Sequence, residues 1–284
     1  MNIKRFVIIT CAALLFLSGC ATQQIHNKSS VMDYLYPKDV ELHPEPTMPR
    51  LKVPLKVGIA FVPATQSYQR GANLWSGPMD SIKFPESTKT SILNRVADNF
   101  RALEFVEKIE VIPTTYLTPG GGFTNLSQIG TMYDVDVVAL VSYDQMQFTD
   151  DGALSLSYLT IVGAYTISGS KNDTNTLIDT VVFDIASKKM LFRAPGISQV
   201  KGRSTPINLN EELRADSLQS FNEAADEMIV NLDDQLKMFK ERIKNNPEEV
   251  QLEYREGYSG GSTTISAVFV LLAISFYRRR QNIR

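Results

Sequence analysis

The chain has 284 residues, 43% of them hydrophobic and 21% charged, enough apolar material to bury a core and too much for a disordered polymer. A formal net charge of −2 gives no overall drive toward nucleic acid. With two histidines and two cysteines, a disulfide framework and a Cys/His zinc site are all but excluded before any motif is read.

At the N-terminus, Lys4 and Arg5 precede an apolar run, Phe6 to Leu17, of 12 residues. That run is too short to span a bilayer comfortably and has the shape of a signal-peptide core. It leads into Leu17-Ser18-Gly19-Cys20. Small residues before a cysteine suit a signal peptidase, and the thiol is a soft nucleophile able to take a diacylglycerol. The quartet resembles the bacterial lipobox. The resemblance implies that residues 1–20 are a lipoprotein signal segment cut between Gly19 and Cys20, and that the mature chain starts at a lipidated Cys20, a covalent lipid and no other cofactor. Cys11 falls in the discarded segment. Ala21, not aspartate, follows Cys20; by the same resemblance the lipoprotein transport machinery carries the chain to the outer membrane.

Residues 21–54 read as a tether. Five of the 13 prolines fall between Pro37 and Pro54, which favours extended polyproline II able to span at most about 100 Å. The patch Val31 to Tyr36 is too apolar for a pure linker and is expected to dock on the domain or on a partner.

Residues 55–250 read as one domain. Leu55 to Val62 is a buried strand, and Pro85 to Glu104 a helix with Leu93, Val96, Phe100 and Leu103 on one face. Val106 to Ile112 is a second strand, Asn125 to Tyr133 a short helix, and Val135 to Val141 a strand apolar enough to be central. This β-α-β-α-β order predicts an α/β (or α+β) fold with a right-handed, mostly parallel sheet. Residues 154–167 are ambiguous and lean to helix. Thr176 to Ile185 and Lys189 to Val200 read as a hairpin. A long amphipathic helix closes the domain. Asn210 caps it, Glu211 and Glu212 suit its positive end, and Asn245-Asn246-Pro247 stops it. Its stripe runs through Leu218, Phe221, Ala225, Met228, Leu232, Leu236, Phe239 and Ile243. The stripe either packs across the sheet or serves, over 211–245, as a self-association or envelope-partner surface.

Little chemistry is offered. Both histidines, His26 and His43, lie in the predicted tether, so the domain cannot build a Ser-His-Asp or Cys-His site; no catalytic and no metal-ligating residue is assigned. Phosphate-loop and dinucleotide fingerprints are missing. Gly120-Gly121-Gly122 is an anion-binding nest or a plain loop. Asp134, Asp136, Asp144 and the turn-like Asp150-Asp151-Gly152 are a calcium or base site, or solvated turns. Trp75 reads as a loop aromatic.

The last segment, 251–284, is the most specific. Gly257 to Ser262 is glycine-rich, Ile265 to Tyr277 is an uncharged run of 13 residues, and Arg278, Arg279 and Arg280 follow. Counted from Ser262, a helix there is about 24 Å long against a hydrocarbon core of about 30 Å, with arginines that snorkel and fix its orientation to the cytoplasmic side. The tail resembles the GlyGly-CTERM sorting signal. That implies cleavage by rhombosortase, an intramembrane protease of the rhomboid type, at a site within Ser259 to Ser262 that includes Gly260 and Gly261. A flexible glycine pair suits such a protease because the scissile backbone must leave the helix. Lipobox and tail together resemble the rhombotail lipoprotein family, with Asp179 to Pro195 a further point of likeness. The domain pattern is also similar, at fold level only, to the α/β domain of the curli-secretion lipoprotein and other outer-membrane assembly lipoproteins.

Removing 1–19 and 261–284 strips two basic residues and four arginines but no acid, taking the formal charge from −2 to −8, which does not describe a polybasic membrane binder. The expectation is a non-enzymatic envelope lipoprotein with an assembly role, facing the periplasm or the surface. Its expected partners are the lipoprotein signal peptidase, the transport machinery, rhombosortase and membrane lipid, with no nucleic acid. The alternatives are a periplasmic metal- or carboxylate-dependent hydrolase and an inner-membrane, tail-anchored lipoprotein that is never cut.

Overall fold

The computed structural model describes residues 22–37, 47–71, 84–151, 170–205 and 207–256. The fold is α+β. Its centre is the predicted β-α-β-α-β unit: β3 (Leu55–Phe61), α2 (Glu86–Phe100), β5 (Val106–Val111), α3 (Gly122–Tyr133) and β6 (Val137–Asp151). β5 and β6 lie parallel to β3 on either side of it, Val57 pairing with Ile109 and with Val137. Right-handed crossovers to opposite edges place the two helices on opposite faces. Strand alternation then sorts the core. Ile59 and Phe61 meet Ile92, Leu93, Val96 and Phe100 of α2, whereas Ala60 and Val62 meet Phe123, Leu126 and Ile129 of α3.

The rest of the sheet corrects the parallel expectation. β6 continues ten residues past Val141 and pairs antiparallel along its whole length with β7 (Ser170–Asp184), which pairs antiparallel with β8 (Met190–Ser204). Past Val141 the strand reads Ser142-Tyr143-Asp144-Gln145-Met146-Gln147, so the continuous hydrophobic signal ends although the strand does not. Asp150 and Asp151 are strand residues facing Lys171 and Ser170, and not a turn. Residues 154–167, with their helical expectation, lie outside the described residues.

The predicted tether is also corrected. β1 (Thr22–Ser29) is an interior strand, antiparallel to both β6 and β4 (Ala64–Arg70). β3 and β1 occupy the same edge of β6 in tandem. Phe61 faces Val141, the Val62 N–H donates to the Val141 carbonyl, and Lys28 faces Asp144 where β1 takes over. β1 carries a single apolar core residue, Ile25, and its backbone is hydrogen-bonded on both sides, so pairing rather than patterning makes it a strand. Helix α1 (Val31–Leu35), capped by Ser30, docks Val31, Tyr34 and Leu35 against α3, as expected of that patch. β2 (Arg50–Val53) pairs in parallel with β9 (Gln251–Tyr254) in a two-stranded sheet. Residues 251–256 therefore belong to the domain and not to the tail.

Helix α4 (Leu209–Asn245) begins one residue before the predicted cap. Its N-cap is Asn208, with Glu211 and Glu212 in the first turn and Arg242 and Lys244 in the last. Phe221, Ala225, Met228, Leu232 and Phe239 of the predicted stripe are buried in the core. Leu218 is not: it is 40% exposed. The C-terminal half of α4 packs through apolar side chains. The N-terminal half rests on a polar seam, where Gln145 and Gln147 donate to the carbonyls of Ser217 and Leu213 and the Ser220 hydroxyl meets that of Thr176 at 2.7 Å. Contact is closest at Gly196 of β8, where a Cβ would stand 2.1 Å from the Ala224 carbonyl oxygen.

Helices α1 and α3 cover the face opposite α4 over the parallel half of the sheet; past Asp144, toward the C-terminal end of β6, no described helix covers it. Register sets its rows: Arg70, Gln24, Phe148, Asp173 and Lys201 across five strands, then Asp150, Lys171 and Arg203 toward the end where β1 begins.

Candidate functional site

Gly19, Cys20, Gly260, Gly261, Arg278, Arg279 and Arg280 lie outside the described residues, as does Trp75. The structure fixes where the described chain starts and stops on the domain. At one end Thr22 pairs with Asp150 near the C-terminal end of β6. At the other, Arg255 is clamped to the start of β6. Its guanidinium binds the Asp136 carboxylate, its Nε donates to the Pro54 carbonyl at 3.0 Å and its backbone N–H to that of Val53 at 2.9 Å. Asp136 and Asp150 are separated by the length of a strand, about 45 Å at ~3.3 Å per residue. Only Ala21 lies between Cys20 and β1. The sequence pointed to neither exit, because Arg255 and Asp136 are distant in the chain and β1 lacks alternation.

Helix α2, helix α4 and strands β3, β5 and β6 enclose an apolar crevice of about 90 Å³, lined wholly by carbon, with Val57, Ile109, Val96, Leu232, Leu236 and Phe239 among its walls. α2 touches α4 through Arg95, which donates to Asp226 at 2.7 Å and to Asn222 at 3.0 Å. The crevice adjoins a groove of about 320 Å³ where Leu55, Phe105, Leu252 and Tyr254 line the C-terminal exit. The Lys240 ammonium sits 3.8 Å above the centre of the Phe105 ring there.

The aspartates do not converge. Asp134, in left-handed backbone at the end of α3, pairs with Lys56 at 2.7 Å and Lys108 at 3.6 Å. The hydrogen bond from Lys56 holds the Asp134 carboxyl below its ordinary range, and Asp134 raises Lys56 in return. Asp136 serves Arg255, and Asp144 serves His26. Among the described residues, no group of three or more His, Cys, Asp or Glu side chains is placed to hold a metal. The glycine loop has a structural use. Gly120 and Gly122 have φ of 66° and 61°, letting the chain turn tightly enough for the Asn125 side chain to accept from Thr118 N–H and from the Tyr34 hydroxyl. Burial holds the Tyr34 phenol protonated, well above its ordinary pKa, which keeps it a donor.

His26, assigned to the tether from sequence, is instead a buried strand residue. Its Nε2 lies 2.6 Å from Asp144 Oδ1, its ring meets Tyr68 edge-on, and its buried Nδ1 has no hydrogen-bond partner. A cleft of about 390 Å³ alongside is lined by Lys28, Ser30, Ser142, Asp144, Asp179 and Arg193, with apolar residues between. Nucleophilic chemistry at such a pair requires a hydroxyl or thiol bonded to the free ring nitrogen. The nearby Ser29 hydroxyl accepts from the Tyr143 N–H, and the Ser30 hydroxyl caps α1. The arrangement pins β1 to β6 and is not an assembled triad. No described helix is long and apolar enough to cross a membrane. The chain matches no protein-family model and no curated protein.

Proposed function

We propose that the chain is a cell-envelope lipoprotein of the rhombotail type. It is acylated at Cys20 and carried toward the outer membrane once rhombosortase has removed its C-terminal tail near Gly260 and Gly261. It acts by assembly or interaction rather than catalysis. The observation that carries the reading is the presence, on one chain, of Leu17-Ser18-Gly19-Cys20 and of a glycine pair, an apolar run and Arg278 to Arg280. The positions of the two exits support it. Cys20 stands one residue from the sheet and the tail leaves beyond the Arg255 clamp, so each signal has its own end of the domain.

The test is intact mass and membrane fractionation of the protein from its natural host, with and without rhombosortase. The expected protein lacks the tail. Replacing both Gly260 and Gly261 by valine should leave a protein that keeps the mass of residues 261–284 and fractionates with the inner membrane. A wild-type protein still ending at Arg284 refutes the reading and makes the tail a permanent anchor.

A further inference from the structure

Resting on the reading of Cys20 as the lipidated N-terminus, we propose that the open sheet face is a docking surface for an anionic phospholipid bilayer, with Arg70, Lys171, Lys201 and Arg203 as its contact cations. Three observations carry this.

The first is position. All four cations lie on the face opposite α4, at the end of the sheet where β1 begins. A span of two residues from Cys20 reaches at most about 7 Å, so the acyl chains hold that end against the membrane surface.

The second is how the charges on this face are spent. Asp179 holds Arg193 through two short bonds and Asp144 takes His26 and Lys28, which leaves Asp150 and Asp173, the latter accepting from Gln199, as the acids set against the four cations. Among the described residues, Lys171, Lys201 and Arg203 have no ion-pair partner, and Arg70 lies over the Tyr68 ring at 5.7 Å. All four are exposed.

The third is the contrast with the other side. Helix α4 carries nine acidic residues against five basic ones, Arg214, Lys237, Lys240, Arg242 and Lys244, so its flank stays net negative after Asp226 pairs with Arg95 and Asp233 and Asp234 share Lys237. A negatively charged surface repels that flank and attracts the open face, so the field orients the domain about its tether. The net charge of −8 expected for the mature chain hides this division. Phe148, Ile197 and Tyr68, exposed on the attracted face, supply the apolar contact that surface-bound proteins insert at the headgroup level.

The experiment uses the full lipidated protein in vesicles of phosphatidylcholine with or without phosphatidylglycerol. Acylation consumes the Cys20 thiol, so Ile197→Cys on the open face and Val230→Cys on α4 each supply a single site for an environment-sensitive fluorophore. With phosphatidylglycerol present, the probe at 197 should shift to the blue and be shielded from an aqueous quencher, while the probe at 230 stays accessible. Without it, both should be accessible. Lys201→Gln with Arg203→Gln removes two charges at the surface and should lower the docked-to-undocked ratio about 30-fold, at roughly fivefold per cation, while the protein stays on the vesicles through its lipid. Charge-reversed Lys201→Glu with Arg203→Glu gives a second, larger loss. Equal accessibility at 197 and 230 overturns the proposal, as does shielding at 197 that ignores phosphatidylglycerol or persists in detergent, which assigns the face to protein. Failure of the lipoprotein reading looks different: Cys20 itself takes the label and the protein washes off both kinds of vesicle.

Discussion

Replacing Gly196 by alanine tests the seating of α4 on the sheet with the smallest possible change. The added Cβ would lie 2.1 Å from the Ala224 carbonyl oxygen, 2.4 Å from the Met228 nitrogen and 2.7 Å from the Met228 Cβ. Two of these are backbone atoms of a helix, so no side-chain rotation relieves the overlap. An ordinary carbon–oxygen contact is about 3.3 Å, so the helix must retreat by about 1 Å. A gap of that size forfeits a quarter to a half of the dispersion energy of each facing contact. Those contacts are buried ones: Ala224, Ala225, Met228 and Phe221 are each fully buried on this seam. Overpacking usually costs 1–3 kcal/mol, and a backbone collision belongs at the upper end, about 3 kcal/mol. For a protein of this size that lowers the melting temperature by about 6–12 °C. Circular dichroism melts of the purified protein measure it, with Ile197→Ala as the control. Ile197 is the next residue, 64% exposed on the opposite face, and its loss should move the midpoint little. A Gly196→Ala protein melting within about 2 °C of wild type would refute the claim that α4 lies directly on the β8 backbone.

Leu232→Ala and Phe239→Ala should each cost about 2–5 kcal/mol in the same assay; because both line the apolar crevice, the double variant should lose less than the sum. Asp216 is buried beside Glu212, and burial first, then that neighbouring charge, raises its pKa above the ordinary carboxylate value. The folded state therefore binds its proton more tightly than the unfolded chain, so stability is present below the unfolded value of about 3.8 and is lost as pH rises through the folded one. Asp216→Asn should melt higher than wild type at pH 7, an advantage that vanishes near pH 3; an equal advantage at both values would sink this assignment. Cys20→Ala should abolish labelling by a palmitate analogue and leave an unprocessed precursor, and continued labelling would contradict the lipid site.

The parts of the fold legible in the sequence are those whose apolar residues repeat at a fixed period. Leu93, Val96 and Phe100 announced α2, and the stripe from Phe221 to Phe239 announced α4 to within two residues at its start. The parts that were not legible are held by long-range backbone pairing. β1 has Gln23, His26 and Asn27 buried, and its partners in β6 stand more than a hundred residues away. Polar residues buried on both faces look like a linker until the strands on either side are known. The same reason hid the second half of β6, whose inward Gln145 and Gln147 answer to carbonyls of α4 and not to an apolar core. Leu218 erred the other way: its spacing fits the stripe, but the N-terminal half of α4 turns Leu213, Ser217 and Ser220 to the sheet, and Leu218, one position past Ser217, is 40% exposed. At the candidate site, the aspartates were visible and their partners were not, so a possible metal cluster resolved into separate ion pairs with Lys56, Arg255 and His26.

The separation of the two exits has a mechanical consequence. While the tail is uncut, the proposed precursor is a beam on two supports, with acyl chains under one end and an apolar segment under the other. Residues 257–264, even drawn straight, reach at most about 28 Å, less than the roughly 45 Å between the exits. The beam therefore cannot stand upright; the β9 end stays low, where an intramembrane protease works. The cut removes one support. What remains is a post hinged at Cys20, free to swing its far end about 45 Å outward and held down by the Arg70 and Lys201 face alone, with a grip that rising salt loosens. On that proposal, proteolysis at one end of the molecule sets the reach of the other surfaces, the apolar groove beside Tyr254 among them.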